Sequence, residues 1–439
     1  MTTGLERIAA KARNEARLQF TSLAHHITRE LLWESLCHIS GDSAPGVDGQ
    51  TVQEAKETFK SWAGEMISSI HRKSYKPPVV RRVYIPKPGK KEKRPLGVPC
   101  VSDRALQRSV SIVLSVIYEQ DFLPCSFGGR PNRGAHHALG TLSEMISGKK
   151  VSWVLEADLK NFFGSLDHGW LLRFVQLRVG DPRIISLIRR WLKAGVLEDG
   201  TVHPNEEGTP QGGSISVLLS NIYLHYVLDL WFDRAIKPRL RGEAYLVRYL
   251  DDFVVCFQYR SDAVRFQEVL AKRLGKFSLA LEPSKTKLVE FGRFAPRHAK
   301  ERGKKLETIY FLGFTHFCTR NRKGNFKVGR KTEKTRHQQS LANLKGLMRQ
   351  IRHWSMQEQV ENINQVLRGH YAYYGVAGNI KSLYKVYRFT ECYWHRMLCS
   401  RSQKSYVRWE DFQKMKSVFP LQRPRIYVTY ERLQSLAVL

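Results

Sequence analysis

The stretch AYLVRYLDDFVVCF, residues 244–257, sets two adjacent acids between two largely apolar runs and contains no glycine or proline. Adjacent residues of a regular strand point to opposite faces, so Asp251 and Asp252 can serve one site only from the bend of a tight hairpin. The pattern therefore predicts two strands joined at the acids. A polar hairpin tip that faces solvent is the alternative interpretation, although charges between buried strands usually need a partner.

A second apolar run, VLEADLKNFF at residues 154–163, has the pattern of a buried strand that ends at Asp158. Active sites are commonly built where strands pass into loops. Carboxylates from separate chain elements can hold two Mg²⁺ ions about 3.5–4 Å apart and neutralise a phosphate group. Asp158, Asp251 and Asp252 together form a set of this kind.

The charge balance indicates a polyanionic partner. The 439 residues include 72 Lys and Arg against 40 Asp and Glu, a formal net charge of +32, with 11% aromatic residues. Because no run of about 18 apolar residues is present, nucleic acid is favoured over a membrane.

The seven scattered cysteines are never spaced C-x-x-C, which argues against disulfides and zinc. The first residues lack a signal-peptide pattern, so we expect a cytoplasmic protein with access to a bacterial-type nucleoid.

Helical and strand patterns follow one another along the chain. A helical extension at residues 4–39 precedes an ordered loop or simple turn at residues 43–49 and a basic hairpin at residues 72–94. Strand patterns recur at residues 151–157, 245–249 and 253–257. This mixture, with helical segments between the strands, indicates an α/β or α+β central lobe.

Several ordered blocks resemble those of group II intron reverse transcriptases. The blocks are Pro86-Lys87 with Arg94-Pro95-Leu96-Gly97-Val98-Pro99, Asp103-Arg104, Arg130-Pro131, GTPQGG at residues 208–213, and Tyr249-x-Asp-Asp252. The resemblance, from about Ser43 through Arg396, implies an α+β right-hand polymerase with fingers, a palm on a split βαββαβ-like sheet, and a helical thumb. The implied domains are an N-terminal extension and ordered loop at residues 1–60, fingers and palm at 61–330, and a thumb (maturase or X-like domain) at 331–439.

The resemblance also implies an activity and its partners. The chain would be an RNA-directed DNA polymerase, with DNA templates as a further option, acting on a template with a DNA primer and deoxynucleoside triphosphates. Asp158, Asp251 and Asp252 would hold two Mg²⁺ ions with the carbonyl of Leu159, and the use of Mn²⁺ stays open. No membrane contact is expected, and the oligomeric state stays open.

Five residues are implied to contact the incoming nucleotide. Phe162 resembles the aromatic steric gate that excludes a 2′-hydroxyl, although a core position would also suit it. Lys87 and Arg94 match basic residues that grip the triphosphate, or else belong to a general nucleic-acid surface. Gln211 looks like the residue at the nascent base pair, or part of a tight turn. Lys285 is a candidate to protonate or neutralise the pyrophosphate leaving group, or else a solvated lysine.

Residues 311–314, Phe-Leu-Gly-Phe, look like the primer grip, where Leu312 and Gly313 would let the backbone approach the primer. Four positions depart from the family's pattern. Leu250 stands where Ala is usual and would crowd the primer terminus, which would tune primer choice or processivity. The other departures are Gly129 in place of Phe, Gly164 in place of Asp, and Val217 where Ser-Pro is common. None of them removes a metal ligand.

Three hypotheses follow for the function. The first is a free-standing, host-serving intron-like reverse transcriptase that fills or joins broken DNA ends, motivated by Leu250 and by the expectation that the chain, ending at Leu439, has no endonuclease. The second is an intron maturase that binds its intron RNA for splicing and mobility. The third, an RNA-binding protein with a dead site, is disfavoured. The residues that argue against it are Asp158, Asp251, Asp252, Phe162 and Gln211.

Overall fold

The computed structural model describes residues 3–86, 93–198, 201–203, 208 and 213–438. The N-terminal elements are α1 (Thr3–Asn14), α2 (Arg29–Cys37), α3 (Val52–Glu57), α4 (Phe59–His71), β1 (Val80–Pro86), β2 (Lys93–Val98), α5 (Val101–Asp121) and α6 (Ala135–Gly148). Helices α1 and α2 pack on α5, which is the longest helix within the described residues. The helical extension is confirmed, with a break between α1 and α2 where Phe20 donates its N–H to the Arg178 carbonyl at 2.8 Å.

The central part of the chain supplies the palm. Its elements are β3 (Trp153–Asp158), α7 (His168–Gln176), α8 (Pro182–Lys193), β4 (Val196–Glu198), β5 (Thr201–His203), α9 (Ser216–Leu224), β6 (Ala244–Tyr249), β7 (Asp252–Phe257), α10 (Arg260–Gly275) and β8 (Lys287–Glu290). Four strands form an antiparallel sheet in the order β6-β7-β3-β8. Helices connect β3 to β6, and α10 connects β7 to β8, which is the connectivity of a split βαββαβ unit. The predicted α+β palm is thus confirmed.

Two smaller features flank this sheet. Strands β1 and β2 form the predicted basic hairpin and extend through β4 and β5 into a second sheet of order β2-β1-β4-β5. Helix α9 continues into wider, π-helical turns at His225–Asp229 and Phe232–Ile236. Such turns are rare and often mark functional sites. Here they bring the buried Asp229 against strand β6.

The C-terminal part begins with a third sheet and continues as helices. Its elements are α11 (Ala295–Glu301), β9 (Ile309–Phe311), β10 (Phe314–Arg320), β11 (Phe326–Thr332), α12 (Lys334–Gln350), α13 (Met356–Tyr374), α14 (Ile380–Cys399), α15 (Trp409–Val418) and α16 (Tyr430–Ser435). Helices α12–α15 contribute to one apolar core around Trp394. The domain boundary placed at residue 330 stays a prediction, and β11 runs through it to Thr332. Within the described ranges, no helix has both the length and the apolar character needed to cross a bilayer.

Candidate active site

The two adjacent acids occupy a tight hairpin, as the sequence predicts. Tyr249 pairs with Asp252 across β6 and β7, so Leu250 and Asp251 alone form the connecting loop. Leu250 has a φ of +57°, a left-handed conformation that costs about 1–2 kcal/mol for a residue with a Cβ. Two-residue hairpins favour left-handed residues because they match the twist of the strands. The hairpin therefore keeps a strained leucine directly beside the acids.

Asp158 and Asp252 lie opposite each other on the central strands β3 and β7. Residues in this relationship have Cβ atoms about 4.5–5.5 Å apart on one face of the sheet. Burial, together with the negative charges of Asp158 and Asp251, raises the pKa of Asp252 to about 7. Carboxylates this close need a nearby cation for all of them to ionise at neutral pH.

Lys285 supplies one positive charge to this cluster. Its ammonium group forms an ion pair with the Asp158 carboxylate. Partial burial is the largest single influence and acts to lower the pKa of Lys285. The hydrogen bond to Asp158 and the negative charges of Asp158 and Asp252 together outweigh it, so the pKa stands above its ordinary value. The lysine segment is anchored beside β3, since Glu282 donates its N–H to the Asp158 carbonyl at 2.8 Å. Lys285 is thus positioned at the acids.

The acidic cluster suits a divalent cation in its donor atoms and its charge. Mg²⁺ prefers carboxylate and carbonyl oxygens as ligands. Carboxylate oxygens are available from Asp158, Asp252 and the adjacent Asp251. The carbonyl of Leu159 follows directly on Asp158. Among the described residues, however, no three His, Cys, Asp or Glu side chains already stand at metal-binding spacing. Because Asp158 is paired with Lys285, a cation would have to displace that ammonium group.

A buried hydrogen-bond network lies behind the hairpin and is missing from the sequence predictions. Arg248, inside the apolar strand β6, is completely buried and contacts the Asp229 carboxylate at 2.7 and 2.6 Å. Its guanidinium also donates to the Leu250 carbonyl at 3.1 Å and to the Ser126 hydroxyl at 2.8 Å. A charged residue in an apolar strand requires a buried partner. That requirement is the signal in the sequence, but it does not identify the partner.

The predicted sugar-facing region contains two adjacent aromatic rings. Phe162 is only 2% exposed and packs in the palm core, whereas Phe163 is half-buried, with a ring-centroid separation of 5.3 Å. Of the two, Phe163 retains surface that a bound sugar could contact. Gly208 approaches the same pair: with φ of +79°, it would place a Cβ 2.5 Å from the Phe163 carbonyl oxygen. The gate role of Phe162 stays a prediction.

The remaining nucleotide contacts are only partly placed. Lys87 and Gln211 lie outside the described residues, and Arg94 belongs to β2 without a described side chain. Their roles stay predictions. Gly213, at the end of the glycine-rich block, lies against α5, where a Cβ would be 2.7 Å from Oε1 of Gln107.

The predicted primer grip is the turn between β9 and β10. Leu312 and Gly313 both have left-handed backbone, with φ of +49° and +74°. The Tyr373 hydroxyl, on α13, donates to the Leu312 carbonyl at 3.0 Å. The Tyr374 hydroxyl lies 3.1 Å from where a Gly313 Cβ would stand. Helix α13 therefore holds this turn, a contact that the sequence did not indicate.

Comparisons with known proteins agree with this geometry. The family model described as reverse transcriptase (RNA-dependent DNA polymerase) matches residues 85–316. Group II intron-encoded protein LtrA of Lactococcus lactis subsp. cremoris is 36% identical over 250 residues, or 54% of this chain and 41% of that protein. Protein YkfC of Escherichia coli (strain K12) is 31% identical over 347 residues, or 71% of this chain and 86% of that protein.

A third relative is named as an intron maturase. Nuclear intron maturase 3, mitochondrial, of Arabidopsis thaliana is 25% identical over 180 residues, or 36% of this chain and 25% of that protein. The chain thus spans about two fifths of LtrA and most of YkfC. The stretch matched by the family model contains the three acids, Lys285 and the β9–β10 turn.

Proposed function

Because this chain belongs to the reverse transcriptase (RNA-dependent DNA polymerase) family, we propose that it extends a DNA primer with deoxynucleotides on an RNA template, and on DNA as well. The family predicted from the ordered sequence blocks is confirmed. The substrates follow from that family and from the net charge of +32, which favours a polyanionic partner.

One observation carries the proposal: Asp158 and Asp252 oppose each other on the central palm strands, with Asp251 in the adjoining turn. The family generally uses divalent metal ions, and two Mg²⁺ ions held by these acids and the Leu159 carbonyl would neutralise phosphate charge when bound. Mn²⁺ has the same preference for oxygen ligands and is the natural alternative to test.

The chain's own groups have separate tasks in this reaction. Lys285, once released from Asp158, would donate a proton to the departing pyrophosphate, since a lysine ammonium group carries its proton at neutral pH. The aromatic pair Phe162–Phe163 restricts the sugar. The left-handed turn at Leu312 and Gly313 lets backbone approach the primer. Lys87, Arg94 and Gln211 complete the proposed nucleotide contacts.

Primer extension tests the proposal. Purified protein, an annealed primer on RNA or DNA template, Mg²⁺ and deoxynucleotides should give extended primer. Asp251→Ala and Asp252→Ala should each reduce the rate by about 10³-fold or more, because each removes charge from the reacting centre. Asp233→Ala, an exposed acid in the π-helical turns, is the matched control and should extend normally. The proposal would be wrong if the wild type gave no extended primer, or if Asp252→Ala retained full activity.

The biological role has two candidates. A host-serving enzyme that fills or joins broken DNA ends is favoured by Leu250, which departs from the intron-encoded pattern. A maturase role is favoured by the names of two relatives, an intron-encoded protein and an intron maturase. Extension of ends paired through a few nucleotides supports the first. Tight binding of a group II intron RNA found next to the reading frame supports the second.

A further inference from the structure

Three of the four departures from the intron-encoded pattern meet at one point in the structure. Leu250, at the tip of the catalytic hairpin, contacts a loop that contains Gly128 and Gly129, and Val217 at the start of α9 borders the same space. The sequence separates these positions widely, so their meeting is a product of the fold. Gly164, the fourth departure, lies instead against Asn161.

Gly128 lies against the hairpin backbone. A Cβ atom on Gly128 would be 2.7 Å from the Leu250 nitrogen, 2.8 Å from Leu250 Cγ and 3.0 Å from the Tyr249 carbonyl carbon. Two of these three atoms belong to the backbone, which cannot move aside without moving the neighbouring acids. Glycine at this position therefore permits the loop to approach the hairpin tip.

Gly129 makes room for the side chains on the other side of the tip. With φ of +69°, it would direct a Cβ to 2.2 Å from Val217 Cγ1 and 3.5 Å from Leu250 Cδ2. The side chain of a phenylalanine here would begin in space that Val217 already fills, with Leu250 in contact beside it. The three departures therefore fit together: the ring is absent at residue 129, and the Val217 side chain occupies its place beside Leu250.

Two buried side chains join the loop to the hairpin. Asn221 on α9 donates its side-chain amide to the Gly128 carbonyl at 2.8 Å and accepts from Arg248 at 2.9 Å. Arg248 in turn donates to the Leu250 carbonyl at 3.1 Å. The carbonyls of Gly128 and Leu250 are thus connected through hydrogen bonds of buried groups. This connection fixes the tip relative to the loop.

We propose that Gly128, Gly129, Val217 and Leu250, termed the hairpin seat, form a unit that determines which primer ends the enzyme extends. The inference rests on the proposed polymerase function. Leu250 immediately precedes the acids, so the seat sets where the tip stands relative to the primer 3′ end. The seated leucine holds the tip in one position and limits the space open to that end.

The test compares two primers with each purified variant. One primer is long and fully annealed, and the other is paired with the template through only a few nucleotides. The readout is the ratio of their KM values, because a loss of stability or of kcat alone leaves this ratio unchanged. We expect Leu250→Ala to shift the ratio about fivefold or more. Gly129→Ala should also shift it, since its Cβ would displace Val217.

A double-mutant cycle examines the seat itself. Val217→Ala removes the Cγ1 atom that a Cβ at residue 129 would meet, so adding Gly129→Ala to Val217→Ala should leave the ratio within about twofold. The backbone strain of an alanine in the left-handed conformation at residue 129 is the same in the wild-type and Val217→Ala proteins, so it cancels in the comparison. Gly128→Ala is the matched control: its conflict is largely with backbone, so Leu250→Ala should not rescue it.

The outcomes separate the seat from the polymerase function. An active wild type whose ratio is unchanged by Leu250→Ala, or additive effects of Gly129→Ala and Val217→Ala, overturns the seat alone. Leu250→Ala only removes atoms, so its effect on the ratio decides the matter even where Gly129→Ala fails to fold. A wild type that extends neither primer overturns the proposed polymerase function.

Discussion

Arg248 and Asp229 form a two-pronged ion pair, Nε to Oδ1 at 2.7 Å and Nη2 to Oδ2 at 2.6 Å, with both side chains completely buried. Burial acts to lower the pKa of Arg248, but the Asp229 carboxylate keeps that pKa above its ordinary value. The same guanidinium holds the carbonyl of Leu250. The pair therefore lies between the palm core and the hairpin that contains Asp251 and Asp252.

Breaking this pair should destabilise the protein strongly. Asp229→Ala leaves the Arg248 charge buried without its partner, and we expect a loss of about 3–5 kcal/mol in the free energy of unfolding. Urea unfolding followed by circular dichroism measures the change. The double variant Arg248→Met with Asp229→Leu removes both charges and should lose less than Asp229→Ala. A double variant that is less stable than Asp229→Ala would contradict this explanation.

Lys285 should compete with metal ions for Asp158. Its ammonium group pairs with that carboxylate while more than half exposed, and such pairs are worth up to about 1 kcal/mol. Lys285→Gln should therefore lower the Mg²⁺ concentration for half-maximal extension about two- to fivefold, while the maximal rate falls because the proton donor is lost. Lys287→Gln is the control, since Lys287 pairs with Glu307 at 3.0 Å. An unchanged Mg²⁺ dependence in Lys285→Gln would rule out the competition.

The two adjacent phenylalanines should respond differently to truncation. Phe162→Ala opens a cavity in the palm core and should destabilise by about 3–5 kcal/mol. Phe163→Ala acts at the half-exposed ring and should raise ribonucleotide incorporation, relative to deoxynucleotide, by about 10- to 100-fold. Thermal unfolding and single-nucleotide insertion measure the two effects. A larger rise in Phe162→Ala would instead assign the gate to Phe162, as the family resemblance implies.

The buried His316 should lower the free energy of unfolding at acidic pH. Burial, with the positive charge of Arg330 nearby, lowers the pKa of His316 to about 3. The unfolded chain takes up this proton near pH 6.5 and the folded chain does not, so stability falls as the pH drops through 6.5 towards 3. At pH 5 the loss is about 2 kcal/mol relative to pH 8.

Urea unfolding of wild type and His316→Phe at the two pH values tests this. The variant should lose about 2 kcal/mol less than wild type between pH 8 and pH 5. His353→Phe, at an exposed histidine, controls for the loss of an imidazole. Parallel pH profiles for wild type and His316→Phe would show that His316 does not titrate in this way.

The sequence by itself predicted the three acids, as candidate catalytic residues, and determined the palm. A strand that ends at Asp158, and an Asp-Asp pair between apolar strands without glycine or proline, are local patterns, and the backbone has few ways to satisfy them. The order of the blocks then identified the family. The helices and strands around the site also follow from periodic burial, which is a property of neighbouring residues.

Only the tertiary structure decided what surrounds those acids. Asp229 lies 19 positions before Arg248, Gly128 lies 93 before Asn221, and Lys285 lies 127 after Asp158. These contacts depend on how helices and loops pack, and a sequence pattern does not specify which distant group neutralises a buried charge. For the same physical reason, the departures at residues 129, 217 and 250 are unrelated in the sequence and become one packed unit in the fold.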